Sequence, residues 1–238
     1  MCTVSYIHTG TEVVITSNRD EHTNRPAAVA PQTYLSNGKQ VIFPKDVVGG
    51  GTWFAIDDKG NAVVLLNGAK EKHIPKPPYR VSRGIIVTSL ISSECIVDGW
   101  KSVDLNHVEP FTLVIYEDGN LFETYWDGIS KHITKLNAQQ PHVWSSSTLY
   151  EPSIRTIRAK WFYDFTSQPD KLDAFKILDF HKHSHSGNKE YGLQINRQGI
   201  FKTVSITQLV LKNNIPKVTY IDTAKSTEVI ALFPKAAV

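Results

Sequence analysis

The sequence predicts an α+β protein built on antiparallel sheets, and three observations carry that expectation. Short runs rich in Val, Ile, Tyr and Phe, separated by Gly- and Asn-bearing turns, dominate both ends of the chain. Most of these runs come in pairs joined by a few residues, a connection that suits antiparallel strands and is too short for parallel ones. Helical periodicity is concentrated between the strand-rich ends, so strands and helices do not alternate as they do in a doubly wound sheet. The chain has 238 residues, 41% hydrophobic and 10% aromatic, which is enough apolar material for one sizeable core. No repeat, low-complexity tract or linker divides it, and residues 1–238 are read as a single domain.

Taken in order, Cys2 to Ile7 reads as a strand, Thr9-Gly10 as a turn, and Glu12 to Ser17 as a second strand. This hairpin returns the chain to its own start, near Asn18-Arg19-Asp20-Glu21. Gly49-Gly50-Gly51 gives a tight approach to a strand over 52–56; with no Lys-Ser/Thr pair behind it, it does not read as a phosphate loop. A strand over 62–66 follows through Asp57-Asp58-Lys59-Gly60-Asn61, a strong turn signal. Arg80 to Val97 carries apolar residues at helical spacing and reads as one helix, with Cys95 as a small core residue. The runs 111–116 and 121–126 form a third hairpin through Glu117-Asp118-Gly119-Asn120. A second helix is expected after Glu151, where Pro152 suits the first turn and Ile154, Ile157 and Trp161 fall at i, i+3 and i+7. A third carries Leu172, Phe175, Leu178 and Phe180 and gives way to a polar segment from His181 to Asn188. Strands over 201–211 and 218–221, joined through Lys212-Asn213-Asn214, complete the pattern.

Several function classes fall away. The formal charge is only +3 and the basic residues are dispersed, so there is no nucleic-acid footprint. The most apolar stretch, 84–100, is interrupted by Thr88, Ser89, Ser92, Ser93, Glu94 and Asp98, which excludes a spanning helix and integral membrane contact there. Met1 leads into Cys2-Thr3-Val4 without a basic or apolar leader, and two cysteines make neither a disulfide framework nor a four-cysteine metal site. The expectation is a cytoplasmic protein. Oligomeric state leaves no mark on the sequence.

Cys2 is the first residue with chemistry to consider. Removal of the initiator methionine would put a thiol, ordinarily of pKa about 8.5, beside an α-amine of pKa about 7.7–8.0, which can act as its base. The plainer reading is a small residue without a role. Asn18 to Glu21 reads equally as a solvated turn with a helix cap. Asn67 ends a strand and offers either a turn or an amide donor for an oxyanion. His181, His183 and His185 alternate, and in an extended segment would share a face; a polar loop outweighs a ligand set, so neither metal nor cofactor is expected.

These signals also occur in one order: Met1-Cys2-Thr3, Thr16 to Glu21, Arg25-Pro26, Gly50-Gly51-Thr52-Trp53, Leu66-Asn67 and Ser82-Arg83-Gly84. Further along come 110–115, His142 to Leu149 and Lys202-Thr203-Val204-Ser205. The series resembles the NRDE family, the transport and Golgi organisation 2-like proteins. The resemblance implies a four-layer αββα N-terminal-nucleophile (Ntn) hydrolase-like sandwich with two antiparallel sheets. It implies Cys2 as nucleophile, Asn67 as oxyanion donor, and Arg19 and Asp20 as the charged pair beside them. Asn18, Trp53, Ser147 and Lys202 are then expected at the substrate. The sequence departs from the acylases of that fold in making Arg19 and Asp20 adjacent, in placing Ser145-Ser146-Ser147 where a second asparagine is expected, and in offering Lys202 or Arg155 for a downstream arginine. The activity implied is a cysteine amidohydrolase or acyltransferase acting on a linear amide, its partner a small amide or acyl ligand. The alternative is a non-catalytic carrier that handles haem or acyl lipid on the same fold.

Overall fold

The expected hairpins are all present, and their turns explain them. The computed structural model describes residues 2–168 and 170–234, with the side chain of Cys2 outside the described residues. Strands β1 (Cys2–His8) and β2 (Glu12–His22) are joined at Gly10, whose φ of +90° suits glycine. Strands β3 (Val29–Ser36) and β4 (Lys39–Lys45) turn through Asn37-Gly38, both at positive φ, the geometry that matches strand twist. Strands β5 (Phe54–Asp57) and β6 (Ala62–Asn67) follow, with the Asp57 carboxylate accepting from the backbone N–H of Lys59 and Asn61 across the turn.

The helix expected over 80–97 is two helices. Helix α1 (Arg83–Ile91) is capped by Ser82 and stops at Ser92, and helix α2 (Ile96–Ser102) begins afresh after Cys95. The cause is distant in sequence: the Glu117 carboxylate accepts from the N–H groups of Ile96 and Val97, satisfying the start of α2. Cys95 is the half-buried N-cap of α2, not a core residue. Strands β7 (Phe111–Glu117) and β8 (Asn120–Trp126) form a two-residue hairpin, followed by β9 (Lys131–Leu136) and β10 (His142–Ser145).

Helix α3 (Pro152–Thr166) begins at the expected proline but buries a different face. Arg158 and Phe162 point inward, while Ile157 is 44% exposed. Helix α4 (Ala174–His183) is likewise rotated from expectation: Ile177, Phe180 and His181 are buried and Phe175 is 77% exposed. Strands β11 (Asn196–Arg197), β12 (Phe201–Lys212), β13 (Ile215–Asp222) and β14 (Thr227–Leu232) complete the described chain.

Among the described residues the strands fall into two seven-stranded sheets, each antiparallel throughout. One runs β10-β1-β2-β12-β13-β14 with β11 beside β12, and the other runs β3 to β9 in chain order. One continuous core joins Val4, Tyr6, Val13 and Ile15 of the first sheet to Val63 to Leu66 and Leu113 of the second. Helices α1 and α2 cover the outer face of the second sheet, and α3 and α4 cover that of the first, where Ile7 and Val14 meet Phe162, Ile177 and Phe180. The layers are therefore αββα, as expected. No helix among the described residues is long and apolar enough to cross a membrane.

Candidate active site

The site follows from the period-2 alternation of β2. Side chains of Val13, Ile15 and then Arg19 face the second sheet, while Val14, Asn18 and Asp20 face α3 and α4. Arg19 and Asp20, expected as a pair, therefore stand on opposite faces of one strand. That is the structural consequence of their being adjacent.

On the inner face Arg19 places its guanidinium 4.3 Å above the Trp53 ring. Its Nη2 lies 3.4 Å from Glu21 and 3.7 Å from Asp46, and Arg25 pairs with the same Asp46 oxygen at 2.6 Å. Burial pushes the Asp46 carboxyl up, but the hydrogen bonds from Arg25 and from the N–H groups of Gly49 and Val48 outweigh it and hold the group below its ordinary value. Backbone packing sets Trp53 in place. A Cβ on Gly51 would lie 2.1 Å from the Gly84 carbonyl carbon, and Thr52 N–H donates to Gly84 O at 3.2 Å, so the glycine run lets the strand press against the start of α1. Arg19, Glu21, Asp46, Trp53, Asn67 and Arg83 line a cleft of about 230 Å³. Arg19, Glu21 and Arg25 also wall a larger cavity of about 690 Å³ that includes Lys202 and Tyr220. Ser147 lies in a third cavity, of about 360 Å³, tied to the cleft by Ser146 Oγ donating to Asn67 O at 2.7 Å.

The backbone of Cys2 opens β1 directly opposite Arg19, which in turn lies opposite Ser205. Its thiol falls outside the described residues.

On the outer face the polar residues form a buried network. The Asp20 carboxylate accepts from Thr203 Oγ1 at 2.6 Å and from the Tyr150 hydroxyl at 2.9 Å. Burial pushes its pKa up, opposed by Thr203, the charge of Arg158 and Tyr150. Arg158, 1% exposed, stacks 4.1 Å from the Tyr150 ring and donates to Ser145 Oγ, Gly192 O, Tyr191 O and Thr3 Oγ1. Asn18 gives both amide hydrogens to carbonyls, of His181 and Leu193, so its Oδ1 is the acceptor for His181 Nδ1–H at 2.6 Å. His181 Nε2 is then the acceptor for the Ser5 hydroxyl at 2.7 Å. Burial, reinforced by the Arg158 charge, depresses the His181 pKa to about 3, consistent with a neutral ring. Asn18, expected at the substrate, is a correction: its amide is fully used and it lines none of the three cavities described above.

The alternating histidines are also corrected. His181 and His183 belong to a helix, where residues two apart diverge. His181 is buried, His183 lies 3.6 Å from Asp179, and His185 stacks on Trp161. Among the described residues no three His, Cys, Asp or Glu side chains are grouped as metal ligands. Sequence reasoning did not find Asp46, Tyr150 or Arg158; the first is brought in by the β4–β5 connection, the second by the turn before α3 and the third by α3 itself, and none carries a local motif.

The model of the family described as Transport and Golgi organisation 2 matches residues 1–167. This chain belongs to that family. A search of curated proteins finds no match. Solved structures place this family member among Ntn-hydrolase-like folds. An N-acylethanolamine-hydrolyzing acid amidase ortholog from Caenorhabditis elegans aligns over 98% of this chain and 100% of its own, with TM-score 0.63 and 11% identity. Penicillin V acylase from Agrobacterium tumefaciens aligns over 99% and 87%, with TM-score 0.57 and 10% identity. A mutant conjugated bile acid hydrolase from Clostridium perfringens aligns over 98% and 97%, with TM-score 0.54 and 9% identity. At such identities the likeness establishes the fold of this family member and leaves its chemistry to the site.

Proposed function

We propose that the chain is a cysteine amidohydrolase or acyltransferase of the Ntn type, acting on a small linear amide with Cys2, freed of Met1, as nucleophile. The thiol proton passes to the α-amine, and the thiolate attacks the amide carbon. Asn67, with a backbone N–H, holds the oxyanion. The α-ammonium returns the proton to the departing amine, and water or a second amine releases the acyl group from sulfur. Arg19 orients the nucleophile from the cleft. Asp20, from the buried face, fixes β2 to β12 beneath it as a positioning residue. Trp53 lines the same cleft, and Ser147 and Lys202 line the adjoining spaces, where the two ends of a substrate would lie.

One observation carries this reading: the backbone register sets Cys2 opposite Arg19, and the Arg19 side chain shares a cleft with Asn67. The test is alkylation of both cysteines from about pH 5 to 9, bracketing thiol and α-amine titration, followed by peptide mass spectrometry. Cys95 is a built-in slow control. A backbone hydrogen bond involving Asp98 lowers its pKa, but burial and the Glu117 and Asp98 carboxylates outweigh this and raise it. The expected result is loss of Met1 and fast Cys2 modification below about pH 7, with Cys95 lagging. Retained Met1, or a Cys2 no faster than Cys95, overturns the proposal and gives the lead to a ligand carrier.

A further inference from the structure

The cavity of about 360 Å³ beside Asn67 holds a cation that the protein does not itself use. It is walled by the start of α3, the edge strand β10, and the loop after β6. Arg155 on α3 lines it, and the Arg155 Nε is sealed from solvent without a hydrogen-bond partner. Among the described residues its guanidinium has no ion pair either. The remaining charges on the wall cancel. Lys70 pairs with one Glu123 oxygen, and the other accepts from Trp144 Nε1 at 2.6 Å.

The hydroxyls divide into committed and available. Ser146 donates to Asn67 O and Ser147 to Glu71 O, whereas Ser145 Oγ accepts from Arg158 Nε at 3.2 Å and keeps its own O–H to give. Leu66, Val143 and Ala159 supply apolar wall. A guanidinium N–H sealed from solvent without an acceptor is costly and rarely left so in a native protein, and here it is the Arg155 Nε–H that lacks one. Its planar fork suits a carboxylate, and one surplus positive charge suits a single negative one.

We propose that this cavity binds a small carboxylate monoanion, with Arg155 as its charge partner, Ser145 as a second donor, and the apolar part of the ligand against Leu66, Val143 and Ala159. The assignment goes beyond the acyl-transfer reading and does not require a reactive thiol. It does bear on that reading: Ser146, on the wall of the same cavity, donates to Asn67 O, so the ligand would border the cleft that holds Asn67.

The test uses a Cys2→Ala protein, which cannot turn over, with hippurate and its neutral amide as probes and fluorescence of Trp144 in the wall as readout, checked by calorimetry. Hippurate is expected to bind at least about tenfold tighter than the amide, the margin of a charge-assisted hydrogen bond. Arg155→Gln should abolish that margin while leaving the weak binding of the amide unchanged, and Arg155→Lys should restore part of it. Equal binding of the two probes, a margin that survives Arg155→Gln, or no hippurate binding up to about 10 mM overturns the proposal. Because binding is read without catalysis, a negative result here leaves the Cys2 reading intact, and an inert Cys2 leaves this site intact.

Discussion

The two faces of β2 are built from the same four residues and do opposite things. Asn18 and Asp20 are sealed beneath α3 and α4, with every polar group matched to His181, Leu193, Tyr150 or Thr203. Arg19 and Glu21 look into cavities and share charge with Arg25 and Asp46 over distances as long as 3.7 Å. The difference teaches that the Asn-Arg-Asp-Glu run is two devices interleaved by strand alternation. One fixes the strand in position; the other presents a tunable cation beside the backbone of Cys2. Substitutions on the buried face should therefore cost stability and leave the reactivity of the folded protein alone, and substitutions in the cleft should do the reverse.

The largest expected effect breaks the buried face at Arg158. Replacing it with Met keeps much of the volume but strips donors from Thr3, Ser145, Tyr191 and Gly192 and leaves Asp20 and Tyr150 without their cation. Removing one member of such a buried charged network costs about 3–5 kcal/mol. Urea unfolding should show it as a large fall in midpoint at unchanged slope, while Cys2 alkylation in the folded protein stays within about twofold. A small fall in midpoint would mean that the network is not what holds β2.

The next effect is set by pH. The His181 ring has a pKa of about 3 in the fold, against an ordinary value of 6.5. Because the folded value is the lower one, the unfolded chain binds the extra proton, so stability is full above pH 6.5 and falls as pH drops toward 3. At pH 5 the loss is about 2 kcal/mol. His181→Gln should be less stable at pH 7, having lost one of the bonds to Ser5 and Asn18, yet nearly flat between pH 6.5 and 5, above the range in which the Asp46 pairing is lost. If the wild-type protein and this variant decline in parallel, the buried neutral histidine is not the cause.

How much of this was legible depended on range. Hairpins were readable because their turns are local: Asp57 to Asn61 and Glu117 to Asn120 specify their own geometry. The β3–β4 hairpin at Asn37-Gly38 carried the same kind of signal and went unread, since β3 is mostly exposed and weakly apolar even though β4 buries Val41, Ile42 and Phe43. The existence of α3 was legible from Pro152, but its face was not. A helix that buries Arg158 and exposes Ile157 contradicts an apolar stripe, and only Thr3, Ser145 and the 191–192 carbonyls make that burial tolerable. The break between α1 and α2 depended on Glu117, a residue that no window around Ser92 contains. In the site, Arg19, Trp53 and Asn67 were found from motif order and do share a cleft, whereas Asp46 reaches it only through the fold.

The smallest effect sharpens the other side of the comparison. Arg19→Lys keeps a positive charge in the cleft but gives up the guanidinium over Trp53 and the Nη2 that lies between Glu21 and Asp46. Arg25 still satisfies Asp46, so no carboxylate is left uncompensated. The stability loss should stay near about 1 kcal/mol, the scale of one cation–π contact, well below that of Arg158→Met. The alkylation rate of Cys2 near neutral pH should nevertheless fall by about threefold or more, because a point charge on a flexible stem holds a thiolate less firmly than a fixed guanidinium. Equal losses of stability from Arg19→Lys and Arg158→Met would erase the distinction between the two faces. An unchanged alkylation rate would leave the distinction standing and remove Arg19 from the chemistry.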